Sequence, residues 1–449
     1  MGGSSLQFLL TLILLLLCMK PTIANYLGLG DTHLGCKEHE RQALLKIKQD
    51  LIDDYGLLSS WSFDQDCCTW SGVKCSNQTG HVIMLNLNVS YFLSMPLRGK
   101  LNPSLIELKY LTYLDMRNID FNYSQIPEFI GSLSNLIHLD LYHANFRRNI
   151  PFQLGNLSNL QYLDLSFNYF NKPENIEWLL QLSSLKYIGM SNVNLSNINN
   201  WLHVVNKLSY LTSLFLYHCN LLNIFSVPHV NSSTSLDVLD LSYNNLTSSS
   251  SVLEWLFNFN TSVVELYLNN NQFQGSSPDD FTRINSLAHL YLYSNEFEHE
   301  IPKAFGGMCN LKTLFLSGNH LNGQLDFIQN LTRCTNHSIE SLHLRDNPLE
   351  GVISEAHFSK LTKLKNFDLS NTLLDFNINF DWVPPFQLEV IGLGSCQLSP
   401  KFPKWLQTQK NLSNIYIYNS RISDTLSNSN WIFSSQLWFL NLSHNQISG

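Results

Sequence analysis

Four cysteines lie close together near the N-terminus of this chain of 449 residues, at Cys36, Cys67, Cys68 and Cys75. Cysteines grouped in this way either form disulfides or hold a metal ion. Adjacent cysteines rarely bond to each other, because that link strains the peptide between them. Of the three possible connectivities, we therefore favour Cys36–Cys67 with Cys68–Cys75. The alternative is a metal site built from Cys36, His33 and His39, but an oxidising compartment makes disulfides the simpler expectation.

Catalytic motifs do not accompany these cysteines. The sequence contains no G-x-S-x-G, H-E-x-x-H or Walker pattern, the motifs that hold a nucleophile, a zinc ion or a phosphate. Gly28-Leu29-Gly30 lacks the third glycine of a dinucleotide-binding loop, and the acidic residues are too scattered to nominate a glycosidase pair. We expect a protein that is not an enzyme and that uses neither a cofactor nor a metal.

The charge balance argues against two further classes of partner. Only 14% of the residues are charged, the formal net charge is -8, and no basic run occurs. Domains that bind nucleic acid carry a basic patch, and segments that bind anionic membrane surfaces carry a polybasic cluster. Neither nucleic acid nor a membrane surface is therefore expected as a partner.

A sequence repeat organises the rest of the chain. The stretch Leu236–Leu246 reads L-D-V-L-D-L-S-Y-N-N-L, the pattern of a leucine-rich repeat. The same frame begins again at Leu111, Leu136, Leu160, Leu185, Leu211, Val263, Leu287, Leu311, Ile339, Leu364, Leu388, Leu412 and Leu437. Successive starts lie 24 to 28 residues apart. Since each unit packs only on its neighbours, the repeat predicts an α/β solenoid, a curved superhelix with short parallel strands on its concave face.

One position in the turn after each strand is polar in most units. Asparagine fills it at Asn168, Asn244, Asn271, Asn295, Asn319, Asn347 and Asn445. An amide both donates and accepts hydrogen bonds, so we expect these side chains to link each turn to the next. Ile119, Ala144 and Val193 take the same position in early units and predict a weaker ladder there. Cys219 and Cys396 also take it, and we expect both to be buried free thiols.

Residues 25–81 lack the repeat and are predicted to cap the first unit, whose core would otherwise be exposed. Within Glu38–Leu51, the spacing of Leu44, Ile47 and Leu51 predicts an amphipathic helix. About fifteen repeats, the last one incomplete at Gly449, then occupy 82–449. Cys309 and Cys334 fall outside the strand frame, at the two ends of a unit of 28 residues. We predict that they form a third disulfide.

The N-terminal segment 1–24 has the features of a signal peptide. Phe8–Met19 is an apolar run too short to span a bilayer comfortably, and Thr22-Ile23-Ala24 offers a cleavage site. An uncleaved anchor is the alternative, because no basic residue precedes the apolar run. Glycosylation sequons occur at Asn77, Asn88, Asn122, Asn156, Asn194, Asn231, Asn245, Asn260, Asn330, Asn336, Asn411 and Asn441. Together these features predict a glycoprotein of the secretory pathway.

Several stretches carry a family resemblance. The cap contains E-H-E-R-Q-A-L-L at Glu38–Leu45 and C-C-T-W-S-G-V-K-C at Cys67–Cys75, with Ser60-Trp61 between them. This combination resembles the N-terminal cap of plant extracellular leucine-rich-repeat proteins. Leu97–Leu114 and Gly394–Pro403 are similar to receptor-like proteins of the type that perceives a fungal xylanase elicitor. The resemblance covers essentially the whole chain after the signal peptide.

This resemblance implies a cell-surface immune receptor at the plasma membrane. Such a receptor recognises a microbial protein or peptide and signals through a co-receptor or adaptor kinase. Members of the family continue into further repeats, a membrane span and a short tail. This chain has no second apolar run of membrane length, so we expect a truncated form of a longer receptor. A secreted inhibitor of a microbial wall-degrading enzyme and the ectodomain of a hormone-peptide receptor kinase are the alternatives.

A ligand is expected on the outward positions of the concave strands. In several units these positions depart from the usual Asp and Ser and carry aromatic or basic side chains instead. The candidates are Phe215, Tyr217, His218, Tyr267, Asn269, His289, Tyr291, Tyr293, Phe315, His343 and Arg345. Neighbouring units stack about 4.8 Å apart, so the candidates predict an aromatic stripe that ends at Arg345. Tyr and Arg are prominent among the residues that dominate binding energy, but rings that only pack on each other would produce the same pattern.

Overall fold

A computed structural model describes residues 35–88, 97–224, 236–259, 262–329, 334, 338–379, 381–398, 400–425 and 435–448. The predicted signal peptide 1–24 and His33 lie outside the described residues, as does Gly449. The same holds for four of the sequons, Asn231, Asn260, Asn330 and Asn336.

The strands are short and recur at the spacing of the sequence repeat. In chain order they are β1 Leu51–Ile52, β2 Val73–Cys75, β3 Val82–Asn86, β4 Arg98–Gly99, β5 Tyr113–Asp115, β6 His138–Asp140, β7 Arg147–Arg148, β8 Tyr162–Asp164, β9 Tyr169–Phe170, β10 Tyr187–Gly189, β11 Ser213–Phe215, β12 Val238–Asp240, β13 Glu265–Tyr267, β14 Gln274–Ser276, β15 His289–Tyr291, β16 Glu296–Glu300, β17 Thr313–Phe315, β18 His320–Asn322, β19 Ser341–His343, β20 Glu350–Ile353, β21 Asn366–Asp368, β22 Leu373–Phe376, β23 Val390–Gly392, β24 Asn414–Tyr416 and β25 Phe439–Asn441.

Helices are fewer, and most of them are single turns. The α-helices in the described residues are α1 Glu38–Gln49, α2 Trp201–Asn206, α3 Val252–Phe259, α4 Asp326–Gln329 and α5 Glu355–Phe358. The 3₁₀-helices are Cys67–Thr69, Pro103–Glu107, Glu128–Ser132, Phe152–Asn156, Glu177–Gln181, Asp279–Arg283, Lys303–Gly307 and Lys404–Thr408. Several of these begin directly after a proline, as at Pro127 and Pro302, since proline fixes a backbone angle that suits a helix start.

One long sheet runs through every repeat and carries the concave surface. Within the described residues it has sixteen strands, in the order β2-β3-β5-β6-β8-β10-β11-β12-β13-β15-β17-β19-β21-β23-β24-β25. All pairs are parallel except β2 with β3. The middle residue of each strand points inward, and Leu114, Leu139, Leu163 and Leu239 are all fully buried. The predicted solenoid with concave parallel strands and a disulfide-stapled cap is confirmed.

The cap closes the first end of this core. The predicted helix is present as α1, which buries Ala43, Leu44 and Ile47 against the solenoid. Trp61 is 1% exposed. Its ring stacks on that of Trp70 at 5.4 Å, and its indole nitrogen donates to the carbonyl of Ser71 at 2.9 Å. The two bonds Cys36–Cys67 and Cys68–Cys75 are present as predicted, and the first rules out Cys36 as a metal-binding thiolate.

The asparagine ladder is confirmed. Asn244 shows its full pattern: its amide nitrogen donates to the carbonyls of Leu216 and Leu241, both at 2.9 Å, and its oxygen accepts from the backbone N–H groups of Cys219 and Leu221 at 3.0 Å. One side chain thus joins its own strand to the turn before it. Asn168 makes the same set of contacts. The earlier positions Ile119, Ala144 and Val193 are buried without side-chain hydrogen-bonding groups.

Two cysteines replace asparagine in this ladder as free thiols, as predicted. Cys219 is 0% exposed and Cys396 is 1% exposed. The Cys219 thiol donates to the carbonyl of Met190 at 3.1 Å. Cys309 and Cys334 form the predicted third disulfide, which joins the turn after the 3₁₀-helix Lys303–Gly307 to a position 25 residues further along the chain.

We predict that these two thiols do not react in the folded protein. Burial raises the pKa of Cys219 to about 12 and that of Cys396 to about 11, so neither forms much thiolate at pH 8. Peptide mass spectrometry after iodoacetamide treatment should find both unlabelled in native protein and both labelled in guanidinium chloride. Cys309 and Cys334 are the control, since they should need a reductant as well. Labelling of Cys219 in native protein would contradict its place in the ladder.

Candidate functional site on the concave face

Three columns of outward side chains run along the concave sheet. The strands pair in register, so Phe215 lies beside Asp240, which lies beside Tyr267. We call the residue before the buried middle residue of each strand the first column, and the residue after it the second column. The third column is the residue two positions after the second-column residue in the sequence. The predicted site residues therefore divide among columns instead of forming a single stripe.

Four of them form a continuous group in the second column, which we call the C-terminal stack. Tyr267 stacks on Tyr291 with centroids 4.5 Å apart and an angle of 5°. Tyr291 meets Phe315 edge-on at 5.1 Å, and Phe315 contacts the ring of His343 at 4.1 Å. All four rings are half-buried. Burial lowers the pKa of His343, so the ring at the end of the stack is neutral near pH 7.

Two other candidates flank the C-terminal stack. His289 belongs to the first column, where its Nδ1 lies 3.0 Å from the hydroxyl of Thr313. Arg345 belongs to the third column and lies beyond His343, as expected. Its guanidinium pairs with Asp346 at 2.8 Å and approaches Asp368 at 3.9 Å. Because it remains half-exposed, it keeps donors for a ligand.

Asn269 differs from its expected role as a surface contact. It is 3% exposed and lies close to the half-buried Tyr293 of the next unit. The Tyr293 ring is thus the more exposed member of this pair. The sequence could not show this, because the third column changes from exposed to buried according to the size of its neighbours.

The three earliest candidates form a separate group. Asp240 stands between Phe215 and Tyr267 and interrupts the predicted stripe. Tyr217 contacts Tyr243 at 4.9 Å, and Phe215 contacts Tyr187 of the preceding unit at 5.2 Å. His218 is exposed at the rim, where its Nδ1 lies 2.9 Å from the Asn192 side chain.

A second run of rings lies further toward the N-terminus, and our reading of the sequence missed it. Tyr113, His138, Tyr162 and Tyr187 of the first column stack on one another with centroids 4.0 to 4.1 Å apart and angles of 6° to 17°. We call them the N-terminal stack. The signal was present, since an aromatic residue precedes the strand leucine or isoleucine in four consecutive units.

A row of carboxylates in the second column borders the N-terminal stack. Asp115 and Asp140 are both 1% exposed, and the guanidinium of Arg117 lies 2.9 Å from each. Burial raises the pKa of Asp140 to about 7 and lowers that of His138 to about 4. The tyrosine hydroxyls turn toward the same acids, as Tyr187 does toward Asp164 at 3.2 Å.

Apart from the disulfide cysteines, two groups of side chains in the described part of the chain have the composition of a metal site. In the first, Asp115, His138 and Asp140 lie together, but Arg117 already supplies the cation. In the second, the Glu40 carboxylate accepts from the backbone N–H of Val82 at 2.8 Å and lies 3.0 Å from His81, with His39 nearby. The Glu40 carboxylate therefore already links the cap to strand β3.

Comparison with known proteins places these features in a family. The model of the leucine-rich-repeat N-terminal domain matches residues 37–76, and leucine-rich-repeat models match 159–180, 235–259 and 261–321. Receptor-like protein EIX1 of Solanum lycopersicum is 33% identical over 99% of this chain, and receptor-like protein EIX2 of the same species is 33% identical over 92%. The chain belongs to the plant leucine-rich-repeat receptor-like proteins. The expected family is thus confirmed.

This receptor-like protein spans about half the length of those two relatives, 55% of the first and 53% of the second. Solved structures agree on the fold. The crystal structure of PEPR1–AtPEP1 matches with a TM-score of 0.50 at 20% identity, covering 92% of this chain and 69% of that one. A leucine-rich-repeat protein of Leptospira interrogans, LIC12759, matches with a TM-score of 0.51 at 22% identity, covering 78% and 70% of the two chains. In the described part of the chain, no helix is both long enough and apolar enough to cross a bilayer.

Proposed function

We propose that this chain is the ligand-binding part of a plant cell-surface immune receptor. It would face the outside of the cell, recognise a microbial elicitor protein or peptide, and signal through a partner kinase of the full-length receptor. The relation to the EIX1 and EIX2 receptor-like proteins supports the receptor class. We propose a binding role rather than an enzymatic one, since the concave face offers rings and hydrogen-bonding groups on a fixed frame.

The observation that carries the proposal is the C-terminal stack with Tyr293 and Arg345 beside it. Four rings in contact run along four successive concave strands of the sheet. Burying such rings against a partner removes much apolar area from water, and tyrosine and arginine are enriched among residues that dominate binding. Because the rings already support one another, little side-chain freedom is lost when a ligand covers them.

The predicted glycans are compatible with a bare concave face. Of the eight sequons in the described residues, only Asn441 belongs to a concave strand, at the end of β25, and Asn88 follows β3 by two residues. Asn156 lies in a 3₁₀-helix of the convex side, and Asn411 lies in the turn before β24. Glycosylation at these positions stays a prediction, and it would leave both aromatic stacks open.

The test is binding of the secreted, glycosylated chain to a panel of fungal elicitor proteins and peptides. We expect the change Tyr267→Ala/Tyr291→Ala/Tyr293→Ala to weaken binding by about 2 kcal/mol or more while the fold is retained. Circular dichroism would check the fold, and surface plasmon resonance would measure the affinity.

The matched control is Phe152→Ala/Tyr210→Ala, which removes two rings that are 69% and 64% exposed outside the concave strands. Binding unchanged by the triple substitution would place the ligand elsewhere on the solenoid. Binding that abolishes the activity of a wall-degrading enzyme without any receptor response would favour the inhibitor alternative.

A further inference from the structure

A pocket of about 310 Å³ opens on the concave face where the N-terminal stack ends at Tyr187. We call it the central pocket. Five rings line it, those of Tyr142, Phe167, Tyr187, Phe215 and Tyr217. They come from four successive units and support one another, with Tyr142 edge-on to Phe167 at 5.3 Å and Phe167 at 6.0 Å from Tyr217. Its walls are therefore aromatic and braced from several sides.

Small residues in adjacent units leave room for the pocket. Gly189 holds the second column of the β10 unit, between Asp164 and Phe215 of the two neighbouring units, and serine holds the third column in both the β8 and β10 units, at Ser166 and Ser191. A Cβ atom at position 189 would lie 2.6 Å from the carboxyl group of Asp164. Gly189 thus allows the Asp164 carboxylate to lean across the strand toward the pocket, and a larger residue there would push it away.

Two carboxylates also line the pocket, Asp164 and Asp240. Asp164 is 5% exposed and accepts from the backbone N–H of Ser166 at 2.8 Å and from the hydroxyl of Tyr187 at 3.2 Å. Asp240 accepts from the backbone N–H and the hydroxyl of Ser242. Among the described residues, neither carboxylate has an arginine, lysine or histidine within ion-pair distance, unlike Asp115 and Asp140 with Arg117.

Asp164 is therefore a buried acid and Asp240 a half-buried one, and neither has an ion-pair partner among the described residues. Burial raises the pKa of both Asp164 and Asp240, because a carboxylate charge is less well solvated away from water. A cation brought into the pocket would offset that cost, since opposite charges attract more strongly where water is excluded. Aromatic faces attract the same kind of group through their negative quadrupole.

We propose that the central pocket binds an arginine side chain of the ligand. A planar guanidinium can stack between rings and donate to carboxylates through several N–H groups at once, whereas a lysine ammonium is a compact and strongly hydrated charge. That this arginine belongs to an elicitor rests on the function proposed above. The choice of arginine rests only on the lining of the pocket, which combines aromatic rings with carboxylates that lack an ion-pair partner among the described residues.

The test uses two small probes with the full secreted chain. Acetyl-Gly-Arg-Gly-amide carries the cation, and acetyl-Gly-citrulline-Gly-amide has nearly the same shape without the charge. In ligand-observed NMR titrations we expect the arginine probe to bind roughly tenfold or more tightly than the citrulline probe, as a hydrogen-bonded charge implies. Equal binding of the two probes, or no binding of either, would overturn the proposal.

Two variants locate the effect. Asp240→Asn should weaken binding of the arginine probe roughly tenfold. It is expected to fold, because the hydrogen bonds of the Asp240 side chain among the described residues run to Ser242 of its own turn. Asp164→Asn should do the same, with circular dichroism to check folding. Glu298→Gln, which removes an exposed acid from the flanking strand β16, is the matched control. An effect of Glu298→Gln equal to that of Asp240→Asn would mean that only net charge matters and would refute a specific pocket.

The outcomes separate this proposal from the receptor function. Probe binding with no elicitor binding would keep the arginine pocket and remove support for the proposed receptor. Elicitor binding that neither Asp240→Asn nor excess arginine probe disturbs would keep the receptor and refute the pocket. If a lysine probe binds as tightly as the arginine probe, the assignment to arginine is wrong.

Discussion

Replacing Asn244 with alanine is expected to destabilise the middle of the solenoid by about 4 kcal/mol. The substitution removes two acceptor contacts, to the N–H groups of Cys219 and Leu221, and the donor contacts to the carbonyls of Leu216 and Leu241. Asn244 is 4% exposed, so water cannot replace the lost partners. Each buried group left without a hydrogen bond costs roughly 1–3 kcal/mol.

Hydrogen exchange would show where this loss occurs. Because each unit contacts only its neighbours, the backbone amides of Cys219 and Leu221 should exchange much faster in the variant, while amides of the cap should change little. Asn244→Ser is the matched control. A hydroxyl can still donate to the preceding strand, as Ser420 does to the carbonyl of Leu393 at 2.8 Å. We expect its loss of stability to be intermediate, and equal effects of serine and alanine would refute the ladder argument.

Replacing Arg117 with alanine should cost about 3 kcal/mol at pH 8, because it leaves two buried carboxylates without their cation. The guanidinium lies 2.9 Å from both Asp115 and Asp140. The side chain of Arg117 is 33% exposed, which keeps our expectation at the lower end of the range for buried pairs. Urea unfolding monitored by fluorescence would measure the difference.

The loss of stability caused by Arg117→Ala should become smaller as the pH is lowered. Burial raises the pKa of Asp140 from 3.8 to about 7, so the stability that comes from its neutral form is complete below about pH 4 and is lost as the pH rises through 7. The variant should lose stability more steeply over this window, since no cation offsets the ionised acid. Arg147→Ala, in the exposed strand β7, is the control. A difference between wild type and Arg117→Ala that does not change between pH 5 and pH 8 would contradict this account.

The architecture of the chain was predictable because its rule is local and repeated. The repeat begins again every 24 to 28 residues, and each repeat places the middle residue of one strand in the core. The fold could therefore be predicted from local sequence alone. The same holds for Asn244 and for the thiol of Cys219, whose roles follow from one position in the repeat. The disulfide Cys309–Cys334 was predictable because both cysteines break the frame that all other units obey.

The site was less predictable because it depends on neighbouring units. Tyr162 looks ordinary within its own repeat, and its stacking on His138 and Tyr187 appears only when consecutive first-column residues are read together. The burial of Asn269 depends on Tyr293, which comes from the next unit. The Asp164 carboxylate can approach the neighbouring strand only because residue 189 is glycine, since a Cβ atom there would collide with it.

The constant spacing of the strands has a consequence for how such genes change. Differences in unit length are absorbed on the convex side, where 3₁₀-helices, short α-helices and small sheets alternate, while the concave register stays unbroken. Unequal recombination that gains or loses one whole unit would therefore preserve the fold and move all later columns by a single step. Loss of the unit that contains Gly189 would bring Asp164 beside Phe215 and remove Tyr187 and Ser191 from the lining of the central pocket. A lineage could in this way exchange one ligand preference for another in a single genetic event, without passing through a misfolded intermediate.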